Sequence, residues 1–256
     1  SGTSPINITY TVVPTGPTPT FCVGGPFTIV VTVDPIPSVT NGTLTQSICG
    51  SGTASFTPVI SVGGSTYTWS STVLSGSVSG VTASGTNVPV SDNLTNSGSV
   101  AAVVRYRVTP TGPVSTLCVG SFVDYVVTVN PVPTVSASAQ SICSGATSNV
   151  VISNPNGVVG TTFSWTLGTV VGAVSGQGAG SGTVISQTLS SVAGGSVEYL
   201  VVASSNGCSS AVFPVVVTVN PVPVGNSVGA GTNVVCSGTA LNIVPTSSVG
   251  SSTYSW

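Results

Sequence analysis

The sequence contains no histidine, lysine or methionine, and it has very few charged residues of any kind. Its 256 residues carry four acidic and two basic side chains, which gives a formal net charge of −2. General acid–base catalysis needs a titratable side chain held beside its reacting partner. The four acids, Asp34, Asp92, Asp124 and Glu198, are widely spaced and belong to no recognisable motif. The sequence therefore predicts a protein that is not an enzyme.

The two basic residues, Arg105 and Arg107, are separated by one position. Side chains alternate along a strand, so this spacing predicts that both arginines share one face. Nucleic-acid binding requires a cluster of Lys and Arg, and two arginines do not form one. The pair is either a small anion site or, as we favour, part of a solvated strand face.

Nothing in the sequence predicts membrane insertion or a cofactor. Apolar runs such as residues 27–33 are interrupted by threonine and fall well short of the roughly 20 residues that span a bilayer. Residues 1–5 lack the basic start and apolar stretch of a signal peptide. A zinc site is not indicated, because there is neither histidine nor a Cys-x-x-Cys pair. We expect a segment of a longer protein, without a metal or cofactor.

The residues that are abundant are valine, threonine, serine and glycine, together with 18 prolines. Valine and threonine are stiff at χ1 and favour strands, whereas glycine, proline and serine favour turns. Short strand-forming runs broken by frequent turn signals are typical of all-β sandwiches and barrels. The composition predicts an all-β fold.

The chain is internally repetitive. The phrase Val-Thr-Val-(Asp/Asn)-Pro-(Ile/Val)-Pro occurs at residues 31–37, 127–133 and 217–223, and cysteine, tryptophan and tyrosine phrases recur between its copies in a fixed order. The period of roughly 90–96 residues is the usual size of an immunoglobulin-type sandwich. We predict Ig-like repeats at 35–130 and 131–220. Residues 1–34 are predicted to be the C-terminal strands of a truncated repeat, and 221–256 the N-terminal strands of another.

Each repeat has a tryptophan and a tyrosine at positions that are buried in immunoglobulin domains, on the third and sixth strands. We predict that these side chains form the structural core, in preference to a sugar-stacking platform. They are Trp69, Trp165, Trp256, Tyr10, Tyr106 and Tyr199.

Four phrases, at residues 141–145, 161–165, 206–208 and 217–223, together resemble the PKD-like and Ig-like repeats of giant surface adhesins from gliding and related outer-membrane bacteria. The resemblance covers the whole chain. It implies PKD-like β-sandwich domains placed end to end, export by the type IX route, display at the cell surface, and a role as a stalk or adhesin fibre. It implies no catalytic residue, and the scarcity of acids argues against a calcium site.

Six cysteines, two per repeat, indicate an oxidising compartment and disulfide bonds. In an immunoglobulin topology the turns that carry Cys143 and Cys208 lie at opposite ends of a strand about 30 Å long. A disulfide requires Cα atoms within about 7 Å. Tandem stacking instead brings the first turn of one repeat to the last turn of the next, which predicts an inter-domain Cys49–Cys208 bond.

In this staggered scheme the other four cysteines bond to adjacent repeats: Cys143 and Cys236 to later ones, Cys22 and Cys118 to earlier ones. Two alternatives stay open at this point. The two cysteines within each repeat could pair, or bonds could form between neighbouring chains.

The Pro-x-Pro connectors contain no flexible spacer and are extended and semi-rigid. We therefore predict a structural repeat segment of a large extracellular adhesin or surface filament, acting as a rigid disulfide-stapled stalk. The alternative is a carbohydrate-binding module array of a secreted protein. Predicted partners are neighbouring repeats of the same chain, laterally associated copies in a fibre, and a surface or glycan ligand.

Overall fold

The structure, a computed structural model, describes residues 2–114, 117–226, 234–240 and 244–255. These ranges consist of strands, turns and bends without an α-helix, so the all-β prediction is confirmed. It follows that no helix in them is long and apolar enough to cross a membrane. The chain divides into two compact units, Ser1–Pro131 and Val132–Trp256, and each has its own apolar core.

The first unit begins with an antiparallel hairpin of β1 (Ile6–Val12) and β2 (Phe27–Val33). The register pairs Ile8 with Val31 and Tyr10 with Ile29, so one face of the hairpin is apolar. That face is accessible, and Tyr10 is 53% exposed. No second sheet covers the hairpin in the described ranges, so the place of Tyr10 in the core of a complete repeat stays a prediction.

The remainder of the first unit is a two-sheet sandwich. Its strands are β3 (Thr45–Cys49), β4 (Ser51–Phe56), β5 (Thr66–Ser75), β6 (Val78–Ser79), β7 (Ser84–Thr86), β8 (Val90–Asn96), β9 (Ala102–Thr111) and β10 (Val123–Asn130). One sheet has the order β3-β10-β9-β5-β7, and the other has the order β4-β8-β6. All neighbouring strands are antiparallel except β3 and β10, which are parallel.

The second unit repeats this plan. Its strands are β11 (Gln140–Cys143), β12 (Val150–Val151), β13 (Thr162–Val171), β14 (Gly180–Ser181), β15 (Val184–Ile185), β16 (Gly195–Ser205), β17 (Cys208–Ser209) and β18 (Phe213–Asn220). One sheet has the order β11-β18-β16-β13-β14, with β17 added to β16, and the other pairs β12 with β15. Beyond it, β19 (Gly225–Asn226) pairs with β20 (Thr246–Ser247).

The first strand of each repeat crosses between the two sheets. We expected one strand near residues 132–139, but there Ser136 forms only an isolated bridge to Ser153. The chain then moves over to pair with β18 through β11. Pro131 and Pro133 cannot donate backbone hydrogen bonds, so a continuous ladder cannot form near the connector. The crossing makes the first and last strands of each sandwich parallel neighbours.

The cores follow from the alternation of side chains along the long strands. In β9 every second residue is buried, from Ala102 to Pro110, and β16 repeats the pattern. The buried faces are mainly valine, with four buried aromatic side chains in the first unit and three in the second. Burial of this apolar area, at roughly 25 cal/mol per Å², is the main force that holds the two sheets together.

Candidate functional site at the two ends of each repeat

The predicted tryptophans lie in the cores of the sandwiches. Trp69 is 4% exposed, its Nε1 donates to the Val88 carbonyl at 2.8 Å, and its ring meets Tyr106 edge-on at 5.6 Å between centroids. Trp165 is 6% exposed in the second unit. Trp256 lies outside the described residues. The two described indoles offer no face to a sugar.

The predicted tyrosines of the complete repeats are fully buried, and each donates to a polar side chain, which lies on β8 in the first unit and two residues after β15 in the second. The Tyr106 hydroxyl donates to Asp92 Oδ2 at 2.6 Å, and the Thr82 amide donates to the same oxygen at 2.9 Å. In the second unit Tyr199 donates to Gln187 Oε1 at 2.7 Å. Burial raises the pKa of both tyrosines, and Asp92 raises that of Tyr106 further.

The sequence reading missed Asp92 and Gln187. The two residues differ in type, an acid in one repeat and an amide in the other. A comparison of the two repeat sequences therefore does not reveal that both accept a hydrogen bond from the tyrosine. The available signal was their position: each lies two residues after a fully buried aliphatic residue, Val90 or Ile185, and two before a buried leucine. A polar residue centred in such an apolar run indicates a buried hydrogen-bond partner.

Two cysteines lie at the end of the repeat from which the chain leaves. Cys49 is the last residue of β3 and is paired in the parallel ladder with Asn130. The Gly50 amide donates to the Asn130 carbonyl at 2.7 Å. The second unit repeats the arrangement, with Cys143 paired with Asn220. Both asparagines directly precede a Pro-Val-Pro connector, so each cysteine sits beside the start of a connector.

In the first unit Cys118 lies at the opposite end, in the loop between β9 and β10. The Gly112 amide donates to the Cys118 carbonyl at 2.8 Å and closes this loop. A Cβ atom on Gly120 would lie 1.9 Å from the Pro37 carbonyl oxygen. The loop therefore touches the segment by which the chain enters the repeat.

In the second unit Cys208 follows a two-residue turn between β16 and β17. Asn206 and Gly207 both have positive φ, 49° and 78°, as a type I′ hairpin turn requires. Residues 210–213, just after Cys208, line one groove together with residues 132–135, where the chain enters. Cys208 thus lies at the entry end of its repeat, as Cys118 does.

The oxidation states of the cysteines follow these positions. Cys49 and Cys208 are disulfide-bonded, whereas Cys22, Cys118, Cys143 and Cys236 are free thiols. Neither pair within a repeat is present, since Cys118 and Cys143 are free. The length of β16, 11 residues or on the order of 35 Å, separates the ends that hold Cys143 and Cys208. A disulfide needs Cα atoms within about 7 Å.

The two arginines lie on the outer face of β9. Arg107 forms a bidentate ion pair with Asp124, with Nε–Oδ1 at 2.8 Å and Nη2–Oδ2 at 2.9 Å, and it stacks on the Phe122 ring at 3.8 Å. The hydrogen bond between them lowers the pKa of Asp124 and raises that of Arg107. Arg105 Nη2 donates to the Thr72 hydroxyl at 3.4 Å. Because Asp124 already neutralises Arg107, the pair is not a preformed anion site.

Glu198 also has a local structural role. Its Oε2 accepts from the Thr169 amide at 3.0 Å, at the irregularity in β13 between Leu167 and Val170. In the ranges that the structure describes, no three His, Cys, Asp or Glu side chains are grouped to hold a metal ion.

A family model described as "PKD-like domain" matches two successive stretches of the chain, residues 46–133 and 140–223. The comparison with curated proteins found no match. Several solved structures of tandem domains align with the chain at low identity. The DIP-gamma IG1+IG2 crystal structure is 12% identical over 73% of this chain and 99% of that chain, with a TM-score of 0.35.

Titin domains I67–I69 align at 9% identity over 77% of this chain and 70% of that chain, with a TM-score of 0.36. The N-terminal Ig1-2 module of the Drosophila receptor protein tyrosine phosphatase DLAR aligns at 14% identity over 73% and 100%, with a TM-score of 0.23. At these values the likenesses add nothing to what the strand topology and the family match establish.

Proposed function

We propose that this chain, which belongs to the PKD-like domain family, is a rigid, disulfide-stapled segment of the stalk of a large extracellular adhesin or surface filament. Domains of this kind are typically non-catalytic structural or binding modules, and with a disulfide they are typical of extracellular proteins. Asp92 and Glu198 accept hydrogen bonds, and Asp124 is an ion-pair partner. We infer that the chain is not an enzyme.

The observation that carries the proposal is the position of the cysteines relative to the connectors. Cys49 is level with Asn130, where the chain leaves its repeat, and Cys208 lies by the groove where the chain enters the next. Only the Pro-Val-Pro segment, residues 131–133, separates these two ends along the chain. Proline fixes φ, so this connector is short and stiff.

We propose that Cys49 and Cys208 form a bond that staples this joint. Both are in the disulfide-bonded state, which supports the pairing. By the same plan Cys143 and Cys236 bond to later repeats, and Cys22 and Cys118 to earlier ones. Each bond forms by a two-electron oxidation of two thiols with release of two protons. The oxidant is a thiol–disulfide oxidoreductase, which is itself reduced to the dithiol.

We also propose that the repeats occupy residues 35–130 and 131–220, and that residues 1–34 and 221–256 belong to two further repeats. In support, β1 and β2 have the register of β9 and β10: Tyr10 is opposite Ile29, as Tyr106 is opposite Tyr125. In a complete sandwich Tyr10 would then be covered by the opposite sheet.

Export by the type IX route, display at the cell surface, a surface or glycan ligand and lateral association into a fibre are further parts of the proposal. Lateral association has support in the strand edges. β11 pairs only with residues 217–220 of β18, so within the part of the chain that the structure describes no strand pairs with that edge at Phe213–Val216, where Pro214 removes one of the donors. Sedimentation that stays monomeric at high concentration would count against association.

The rival function, an array of carbohydrate-binding modules, needs exposed aromatic platforms. Trp69 and Trp165 are buried, and no observation favours that rival. Glycan-array binding by the chain that is lost on substitution of an exposed aromatic residue such as Phe122 would support it instead.

Electron microscopy of the native assembly tests the stalk. We expect straight beaded rods with a repeat on the order of 40 Å, which is the length of an extended strand plus its turns. Loosely hinged beads that bend freely at each connector would contradict the rigid joint.

A further inference from the structure

The position of the proposed staple determines which residues can bear tension. A bond between Cys49 and Cys208 closes a covalent loop that contains about 160 residues. The loop includes strands β4 to β16, whereas β18 and nearly all of β3 lie outside it. Tension applied to the two ends then has a shorter route. It enters along residues 35–49, crosses the sulfur bridge and leaves along residues 208–220. We infer that the staple makes the joint nearly inextensible and shields both domains from load, an inference that rests on the proposed Cys49–Cys208 pairing.

Each half of the shorter route ends in a strand of its own repeat. Residues 35–49 are the first strand segment of one repeat and end in β3, which lies parallel to β10. Residues 208–220 are the last segment of the next repeat and end in β18. Together they hold 28 residues, which span at most about 95 Å when fully extended. Two folded repeats placed end to end cover on the order of 80 Å, so the route has almost no slack.

Without the staple, the loop adds its full contour length when the domains unfold. About 160 residues correspond to roughly 560 Å of extended chain. An unstapled joint therefore lengthens several-fold when its two domains unfold, whereas a stapled joint keeps its length.

In an array in which every joint is stapled, the covalent route is again only about as long as the folded repeats. The bonds overlap, because Cys143 lies inside the loop closed by Cys49 and Cys208. The shortest covalent route along the array passes through every second staple. Between two such staples it follows the chain from Cys208 to Cys236, which is about 28 residues. Fully extended, these residues span roughly 100 Å, and they cover two repeats. Every peptide bond of such an array lies inside at least one loop. A single proteolytic cut therefore leaves the stalk covalently connected.

Force spectroscopy on the full chain tests the inference. Clickable unnatural side chains at Asp34 and Val222, which flank the two domains, attach the handles without using cysteine. For the oxidised chain we expect an extension gain of about 20 Å or less before rupture, and a further gain of roughly 560 Å once a reductant is added under load.

Two double variants serve as matched controls. Cys49→Ser/Cys208→Ser should extend fully without reductant, with separate unfolding steps for the two domains. Cys118→Ser/Cys143→Ser removes two thiols that the route does not use, and it should behave like the parent chain.

Mass-spectrometric disulfide mapping of the same preparation separates the two ways of failing. If the Cys49–Cys208 peptide is missing, the proposed pairing is wrong. If that peptide is present but the oxidised chain lengthens by about 50 Å or more, the route is slack and the inference is overturned.

Discussion

At the scale of single residues, the hydrogen bond between Tyr106 and Asp92 joins the two sheets of the first complete repeat. Replacing Asp92 with alanine leaves the buried Tyr106 hydroxyl and the Thr82 amide without their acceptor. We expect a loss of about 1–3 kcal/mol in the free energy of unfolding of that repeat. Urea denaturation followed by tryptophan fluorescence measures it, because Trp69 contacts Tyr106. Asp92→Asn keeps an acceptor oxygen and should lose less; equal losses would contradict this account.

Gly85 and Gly180 allow the strands beside the tryptophans to approach the indole rings closely. A Cβ atom on Gly85 would lie 2.6 Å from Trp69 Cζ2, so Gly85→Ala must displace a buried ring. We expect a cost of about 1–3 kcal/mol, as for other overpacked cores. Gly63→Ala is the matched control, since nothing lies within 4 Å of its new methyl group. Equal melting temperatures for the two variants would refute the prediction.

The ion pair between Arg107 and Asp124 predicts a weak dependence of stability on acid pH. Arg107 holds the pKa of Asp124 below its ordinary value of 3.8, so the folded chain binds fewer protons than the unfolded chain in that range. The stabilisation is present above about pH 4 and is lost as pH falls below it. Its size is small because both side chains are about one-third exposed.

Melting temperatures measured between pH 7 and pH 2 check this prediction. Asp124→Asn and Arg107→Gln should each flatten the acid side of the profile to a similar extent. A profile that neither substitution alters would show that the pair contributes nothing.

At the scale of the strand, a glutamine that recurs in both repeats forms hydrogen bonds with the backbone at the unpaired edge of a neighbouring strand. Gln46 Nε2 donates to the Thr53 carbonyl at 3.0 Å, and the Ser55 amide donates to Gln46 Oε1 at 3.1 Å, as a neighbouring strand would. Gln140 accepts from the Asn149 amide in the second unit at 2.8 Å. This accounts for the glutamine that precedes the cysteine in both repeats. It also protects the β4 edge from pairing with another chain.

Gln46→Ala should therefore expose the edge of β4. We expect faster hydrogen exchange at the Ser55 amide and a loss of about 1 kcal/mol in stability. Gln46→Glu keeps an acceptor for Ser55 and loses only the donor to Thr53, so its Ser55 exchange should stay closer to that of the parent. Unchanged exchange in Gln46→Ala would contradict this role.

The sequence predicted the buried aromatic residues well but not the path of the first strand. The spacing of Trp69, Trp165, Tyr106 and Tyr199 was sufficient to place them in a core, because burial on a long strand follows a period of two. The crossing of the first strand was not predictable, since alternating Ala and Ser at residues 136–139 fit either sheet. Tyr10 is exposed although its strand pairs with the register of β9, because burial depends on a facing layer and not on the strand itself.

At the scale of the whole molecule, one repeated arrangement of cysteines and connectors underlies the proposed mechanical property. Each repeat holds one cysteine beside its exit and one beside its entrance, with a stiff connector between successive repeats. In the proposed function, the functional site is the joint, which no single domain contains. The cysteines and connectors of the joint could be identified from the sequence because they recur in the same order in each repeat. Their oxidation states required the structure, since sequence spacing alone also permitted pairs within a repeat.

The most direct test of the staple uses the scarcity of basic residues. Arg105 and Arg107 are the only tryptic sites in the chain, and they lie between Cys49 and Cys208. In the Cys118→Ser variant, which excludes the Cys49–Cys118 pair, the oxidised chain is denatured with its free thiols blocked and is then digested with trypsin. We predict a single band of nearly full mass on a non-reducing gel, and fragments 1–105 and 108–256 after reduction. Two separate fragments without reductant would contradict the account.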